Sequence, residues 1–271
     1  MSTLPRPRLR RAEPPTSRVN GWRIDGVAAL GRLHAAATRG ALRMPVLAVL
    51  DRLLPSGRLP DVTASVAGGA GMRLRGAVAR AALIAGGYEH REVELCAAAL
   101  RPGGVFLDVG ANHGWFSLVV GHARPDAAVW AVEAVPATAE VLAANLSGTP
   151  NARVVRSAVG SCRDSVLLSV PEDDAFARLG TDGTPCPQVP LDELWADFGA
   201  PRVDAVKIDV EGSEVDVLRG ARGLLERDRP LLVVEAPTAA DARAVRAEVA
   251  ALGYRLRAVP GVLPYNAVLV A

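Results

Sequence analysis

The feature that most constrains the fold is a regular alternation of short apolar runs with helical patterns from about residue 103 onward. Runs of this kind, rich in Val, Ile and Leu, are typical of parallel strands that helices bury on both faces. Five runs follow the pattern: GVFLDVG, AVWAVEAV, ARVVRSAVG, VDAVKIDV and PLLVVEAP. Two more, YRLRAV and NAVLVA, are joined by PGVLPY and predict an antiparallel hairpin at the carboxyl end of an α/β sheet.

The length of 271 residues, half of them hydrophobic, suits one catalytic-sized domain with an appendage. We predict a disordered basic leader over residues 1–20, a helical extension over 21–60 and the main domain over 61–271. The leader is rich in Pro and Arg and has little apolar surface to bury. Within the main domain, residues 161–200 read as a long, irregular connection between the third and fourth parallel strands.

Charge and cysteine content exclude several classes of function. The net charge of +2 does not indicate a nucleic-acid surface. We find no uninterrupted apolar segment of the roughly 20 residues that a membrane span needs. The three cysteines are odd in number and lack metal-ligand spacing, which favours a reducing cytoplasm. We therefore expect a cytoplasmic protein without nucleic-acid partners, and the sequence leaves its oligomeric state open.

Polar residues and glycines follow the first two strands, where ligands bind in open α/β sheets. The first strand ends in Asp108 and turns through Gly110, and Gly114 opens the following helix. The second strand ends in Glu133, where a carboxylate could hold both hydroxyls of a ribose. Asn112 stands where a dinucleotide-binding fingerprint requires glycine, so this is not that motif. The structural alternative is that both glycines serve only tight packing between strand and helix.

The only lysine of the chain, Lys207, lies in the fourth strand, although 30 other basic positions are arginine. Side chains alternate along a strand, so Lys207, Asp209 and Glu211 are expected to share one face. A buried lysine is costly unless it is paired, and Asp209, Glu211 or Asp108 could each provide the partner. A structural ion-pair network and a direct catalytic role both fit this pattern.

Two motifs, FLDVGANHGWFS and VDAVKIDVEGSEVDVLRGARGLL, resemble those of the FkbM family of S-adenosylmethionine-dependent methyltransferases. The resemblance runs from about Gly87 to the carboxyl terminus. It implies the class I methyltransferase fold, a Rossmann-like three-layer sandwich with a mostly parallel, seven-stranded sheet and a C-terminal antiparallel hairpin. It also implies O-methylation of a small-molecule hydroxyl, commonly on a natural product or a sugar. His113 and Trp115 depart mildly from the family pattern.

The resemblance implies roles for individual residues of this chain. It implies that the cofactor contacts eight positions: Asp108, Gly110, Ala111, Asn112, Gly114, Glu133, Ser157 and Ala158. Substrate contacts are expected from Tyr88, Glu89 and His113. Lys207, Asp209 and Glu211 are the expected catalytic group, with Asp209 or Glu211 as the base. Carboxylates also suit magnesium, so a divalent metal at this group is an open alternative that we do not predict.

Two other functions stay open at the level of sequence. One is a non-catalytic subunit that binds S-adenosylmethionine or a nucleotide, with a structural acidic cluster. The other is a nicotinamide-dependent oxidoreductase, which Asn112 and the lack of an obvious proton-relay motif argue against. The sequence does not name the methyl acceptor.

Overall fold

A computed structural model describes residues 18–19, 22–23, 62–65, 71–74, 89–170 and 178–271 of the chain. It contains fifteen described strands in three sheets. In chain order these are β1 Arg18–Val19, β2 Trp22–Arg23, β3 Val62–Ser65, β4 Gly71–Leu74, β5 Val105–Val109, β6 Ala128–Glu133, β7 Ala152–Arg156, β8 Ala158–Gly160, β9 Asp164–Ser169, β10 Arg178–Gly180, β11 Thr184–Pro190, β12 Val203–Ile208, β13 Leu231–Glu235, β14 Arg255–Leu256 and β15 Asn266–Val270.

The main sheet has seven strands in the order β14-β15-β13-β12-β5-β6-β7. The pairs from β13 through β7 are parallel, whereas β15 lies antiparallel to both β13 and β14. The five predicted parallel strands and the terminal hairpin are therefore confirmed. Strands β5 and β12 lie at the centre of this sheet and are buried at every position. Their carboxyl ends are adjacent, so residues that follow them are brought together.

Helices cover both faces of the main sheet, which completes the predicted three-layer arrangement. On one face, apolar side chains of the first two helices pack on the sheet around Phe106, Ala205 and Val233. On the other, four later helices pack around Val206 and Ile208. The described helices are α1 His90–Ala99, α2 Trp115–Ala123, α3 Pro136–Leu146, α4 Leu191–Asp197, α5 Glu214–Gly220, α6 Arg222–Asp228 and α7 Ala239–Ala250. Within the described part of the chain, none of them is long and apolar enough to cross a membrane.

Helix starts show which local sequence signals the structure uses. Pro136 occupies the first turn of α3, and Thr238 forms a capping box with Asp241 at the start of α7, as their positions predict. Ser213 makes no side-chain cap of α5, although its spacing to Asp216 resembles a capping box. Instead, Glu214 Oε1 accepts hydrogen bonds from the backbone N–H groups of Val210, at 3.2 Å, and Gly212, at 3.0 Å. Glu214 thus holds the turn that follows β12.

The connection over residues 161–200 is more regular than the sequence predicts. Strands β9, β10 and β11 join β8 in a second sheet of order β10-β9-β11-β8, and α4 follows it. A third sheet, β2-β1-β3-β4, contains the predicted hairpin of residues 62–65 and 71–74. Its short strands place residues 18–19, from the predicted leader, and 22–23, from the predicted helical extension, in β-structure. The rest of those two segments lies outside the described residues.

Candidate active site

A glycine turn links the end of β5 to helix α2. Gly110 and Gly114 have φ angles of +77° and +91°, which glycine adopts at no steric cost, and Asn112 has +50°. A Cβ on Gly110 would lie 1.8 Å from the backbone carbonyl oxygen of Asp209. A Cβ on Gly114 would lie 2.6 Å from Leu142 Cδ1. The backbone contact requires glycine at 110 and brings the turn against the end of β12, whereas the positive φ favours glycine at 114.

Asp108 lies at the start of this turn and is buried. Its Oδ2 accepts hydrogen bonds from Ser117 Oγ, at 2.6 Å, and from the Ser117 backbone N–H, at 3.1 Å. Its Oδ1 is buried without a hydrogen-bond partner among the described residues. Burial raises the pKa of Asp108, against the opposing effects of Lys207 and Ser117. An acceptor oxygen is thus left at the glycine turn, where a ligand donor could use it.

Glu133 ends β6, and its carboxylate organises the neighbouring backbone. Glu133 Oε2 accepts a hydrogen bond from the Asn112 N–H at 2.9 Å, and Oε1 accepts one from the Val135 N–H at 2.8 Å. The chain returns beside Glu133, because the Ser157 N–H donates to the Glu133 carbonyl oxygen at 3.1 Å and Ala158 follows in β8. The turn, Glu133 and residues 157–158 therefore form one continuous rim.

Lys207 is buried in the central strand β12, next to Asp108 of β5 in register. Its Nζ donates a hydrogen bond to Asp209 Oδ2 at 2.7 Å and lies 4.8 Å from the centre of the Phe116 ring. Burial alone would lower the pKa of Lys207, but the surrounding carboxylates of Asp209, Glu89 and Asp108 raise it above its usual range. Burial opposes ionisation of Asp209 as well, yet Lys207 keeps the pKa of Asp209 below its usual range. The two side chains therefore form a buried ion pair.

Three carboxyl groups meet at the ends of β12 and β13. Asp209, Glu211 and Glu235 each offer an oxygen within 4.8 Å of the others. Strand β12 ends at Ile208, and Glu211 has a left-handed φ of +54°, so Glu211 joins the group through a turn. The predicted strand face thus holds for Lys207 and Asp209 only. Acidic clusters of this spacing are common without a metal, and Lys207 already provides a positive charge for Asp209.

A second polar group lies between helix α1 and strand β15. Asn266 Nδ2 donates to Glu89 Oε1 at 2.6 Å and to Glu92 Oε1 at 3.2 Å. The Oε2 atoms of both glutamates are buried without a hydrogen-bond partner among the described residues. Burial raises the pKa of Glu89 to about 7, and Lys207 opposes this rise. Glu89 therefore belongs electrostatically to the neighbourhood of Lys207 and Asp209.

Of the other two predicted substrate contacts, His113 and Tyr88, the structure describes only His113. His113 is buried within the glycine turn, where its N–H donates to Asn112 Oδ1 at 2.7 Å. Its carbonyl oxygen accepts a hydrogen bond from Asn145 Nδ2 at 2.7 Å, and Asn145 also pairs with the backbone of Arg73 in β4. Tyr88 lies outside the described residues. The predicted substrate group is therefore represented here by Glu89, while the backbone of His113 helps to fix the turn.

The sequence analysis missed Glu235 and Glu92. Glu235 ends a buried strand in VVEAP, much as Glu133 ends one in AVEAVP. That repeated pattern of a strand ending in Glu-Ala was the available signal for Glu235. Glu92 lies inside a helix with no such mark, and its position became evident only when β15 placed Asn266 and the Leu263 N–H against it.

Comparison with known protein families identifies the family of this chain. The family model of the methyltransferase FkbM domain matches residues 108–256, which include the glycine turn, Glu133, Lys207 and the carboxyl cluster. The chain belongs to the FkbM methyltransferase family. Membership supports S-adenosylmethionine-dependent methyl transfer as the general activity of this FkbM-family protein. No curated protein matches its sequence.

Several solved structures are similar to this FkbM-family chain. An FkbM methyltransferase from Methylobacillus flagellatus KT is 20% identical, with a TM-score of 0.42, and the match covers 72% of this chain and 53% of that one. A precorrin-6y C5,15-methyltransferase from Geobacter metallireducens GS-15 is 16% identical, with a TM-score of 0.41 and coverages of 66% and 85%. A SAM-dependent methyltransferase from Aquifex aeolicus is 12% identical, with a TM-score of 0.41 and coverages of 67% and 90%.

Proposed function

We propose that this protein is an S-adenosylmethionine-dependent O-methyltransferase that acts on a hydroxyl group of a small molecule, of the natural-product or sugar type. The observation that carries the proposal is the position of the Lys207–Asp209 ion pair. The backbone carbonyl of Asp209 lies directly against Gly110, so the carboxylate that can accept a proton adjoins the turn expected to hold the cofactor. Methyl transfer to a hydroxyl needs these two features side by side.

The residues of the rim suit S-adenosylmethionine. The unpartnered Oδ1 of Asp108 is an acceptor for a donor group on the methionine part of the cofactor. Glu133, at the end of β6, is proposed to bind the two ribose hydroxyls, and Ser157 and Ala158 lie beside it to meet the adenine. Bound there, the cofactor would supply an activated methyl group on a sulfonium. The protein has to align the acceptor oxygen with that methyl group, exclude water and accept one proton.

Asp209 is the proposed proton acceptor. A hydroxyl oxygen becomes strongly acidic as it gains a methyl group, so a carboxylate with a low pKa is basic enough to receive its proton. With the cofactor bound, the carbon–sulfur bond would break with its electrons on sulfur, S-adenosylhomocysteine would leave, the O–H electrons would stay on the ether oxygen, and the proton would move to Asp209. Lys207 holds the carboxylate in place through its 2.7 Å contact. Glu211, in the turn that follows β12, and Glu89 are proposed to contact the acceptor.

The proposal is tested by methyl transfer from S-adenosylmethionine carrying a radioactive methyl group to a panel of sugars, phenols and aliphatic alcohols. We expect methyl ether products from the parent protein. With the same acceptor, Asp209→Asn should reduce turnover by about 100-fold or more, the usual contribution of a positioned base. Glu193→Gln, an exposed change on α4, is the matched control and should transfer at the parent rate. Products formed only on amines, or parent-like turnover by Asp209→Asn, would contradict the proposal.

A further inference from the structure

Glu235 and Asp209 lie at the ends of the adjacent strands β13 and β12, and their carboxyl groups each offer an oxygen within 4.8 Å of the other and of Glu211. A carboxylate has only acceptor oxygens, so two carboxyl groups can hydrogen-bond to each other only if one carries a proton. Three carboxylates this close beside a single lysine repel one another strongly, so one of the three carboxyl groups keeps a proton at neutral pH.

The charges around the pair place the proton on Glu235. Lys207 Nζ lies 2.7 Å from Asp209 Oδ2, so the negative charge is best stabilised on Asp209. Glu235 is surrounded instead by Asp209 and Glu211, while Asn266 is its neutral cross-strand neighbour in β15. Burial and the charge of Asp209 raise the pKa of Glu235 to about 9. Three carboxyl groups with a single lysine thus keep one proton at neutral pH.

We propose that Glu235 is a positioning residue that stays protonated and donates a hydrogen bond to the Asp209 carboxylate. This role rests on the proposed function, in which Asp209 accepts the proton of the substrate hydroxyl. Lys207 and Glu235 then act as two donors to one carboxylate. Together they restrict its rotation and leave its remaining lone pairs in a fixed direction.

The proposal predicts that glutamine can replace Glu235 but alanine cannot. Glutamine has the same shape and its amide N–H donates to Asp209 at every pH, whereas alanine removes the donor. With the acceptor found in the panel, Glu235→Gln should transfer methyl groups within about threefold of the parent at pH 7.5, and Glu235→Ala should lose at least about tenfold. Above about pH 9 the parent should lose activity as Glu235 ionises, and Glu235→Gln should not.

A second measurement does not depend on any acceptor. The folded-state pKa of Glu235 is raised, so its contribution to stability is complete below the unfolded pKa of about 4.3 and declines as the pH rises toward 9. Glutamine has no such loss. The melting temperature of Glu235→Gln relative to the parent should therefore be higher at pH 8 than at pH 4 by at least about 2 °C. Glu193→Gln, at the exposed Arg163 pair, should show no such pH-dependent difference.

The outcomes separate this proposal from the proposed function. Equal differences in melting temperature at the two pH values would show that Glu235 is ionised and would overturn the assignment. Equal losses of transfer by Glu235→Gln and Glu235→Ala would overturn the donor role. If the parent methylates no hydroxyl compound, the proposed function and the positioning role fail together, while the melting data still report the protonation state of Glu235.

Discussion

Replacing Lys207 by methionine should reveal how strongly the buried ion pair stabilises this protein. Methionine has a similar length and leaves no large cavity, so the main change is the loss of the charge beside Asp209. The Lys207 side chain is 5% exposed and the Asp209 side chain 22%, so solvent can compensate for this loss only in part. Breaking a buried pair by removing one partner costs about 3 to 5 kcal/mol. We expect Lys207→Met to lower the free energy of unfolding by about 3 kcal/mol at pH 7.

The pH dependence of this loss identifies the pair as its source. Because the folded-state pKa of Asp209 is lowered, its stabilising effect is present above the unfolded pKa of about 3.9 and disappears as the pH falls through the folded value. The difference between parent and Lys207→Met should therefore shrink below about pH 4. Urea unfolding followed by circular dichroism at pH 7 and pH 3 measures it. A variant as stable as the parent at pH 7, or a loss that persists unchanged at pH 3, would refute the reasoning.

Lys207→Arg separates the charge from the shape of the side chain. The planar guanidinium is wider than an ammonium and has to fit between Phe116, Asp108 and Asp209. We expect the fold and most of the cofactor affinity to be kept. Methyl transfer should fall at least about tenfold, which corresponds to about 1.4 kcal/mol in the barrier. Parent-like turnover would show that any cation suffices at this position.

Three further changes test the rim and the scaffold. Glu133→Gln should weaken S-adenosylmethionine binding at least about tenfold in calorimetry, since one acceptor of the carboxylate is lost; unchanged affinity would remove Glu133 from the cofactor site. Gly110→Ala should unfold at a much lower temperature than Gly103→Ala, because both have positive φ but only a Cβ at 110 meets the Asp209 carbonyl; equal melting temperatures would contradict this. Asp204→Asn, which weakens a buried carboxylate contact at the amino end of β12, away from the candidate site, should cost about 1 to 3 kcal/mol of stability and leave cofactor affinity unchanged; a matching loss of affinity would contradict the separation of the two regions.

The main sheet could be predicted because its signals are local. Each parallel strand lies in a run rich in apolar residues, such as LLVVE of β13, and Thr238 with Asp241 marks a helix start in four residues. The second sheet gave no such signal, because β9 is partly exposed and is stabilised by pairing with β10 and β11, which come later in the chain. Strands of this kind form only by pairing with other strands, and a local sequence pattern does not show which strands those are.

The residues of the candidate site that lie at strand ends could also be predicted from local patterns. Asp108, Glu133 and Lys207 stand at or near the ends of recognisable strands, so the rule for open α/β sheets finds them. Glu235 could not be assigned to the site from the sequence, because only the pairing of β13 with β12 brings its carboxyl group close to Asp209. The need for glycine at 110 likewise comes from the Asp209 carbonyl, about a hundred residues later in the chain. Both depend on contacts between distant segments.

Calorimetric titration of the parent protein with S-adenosylmethionine, S-adenosylhomocysteine and NAD tests the central claim most directly. The proposed site, built from the glycine turn and Glu133, should bind the first two compounds without any acceptor present and should not bind NAD. Binding of NAD, or the absence of binding by both adenosyl compounds, would contradict the account of this site.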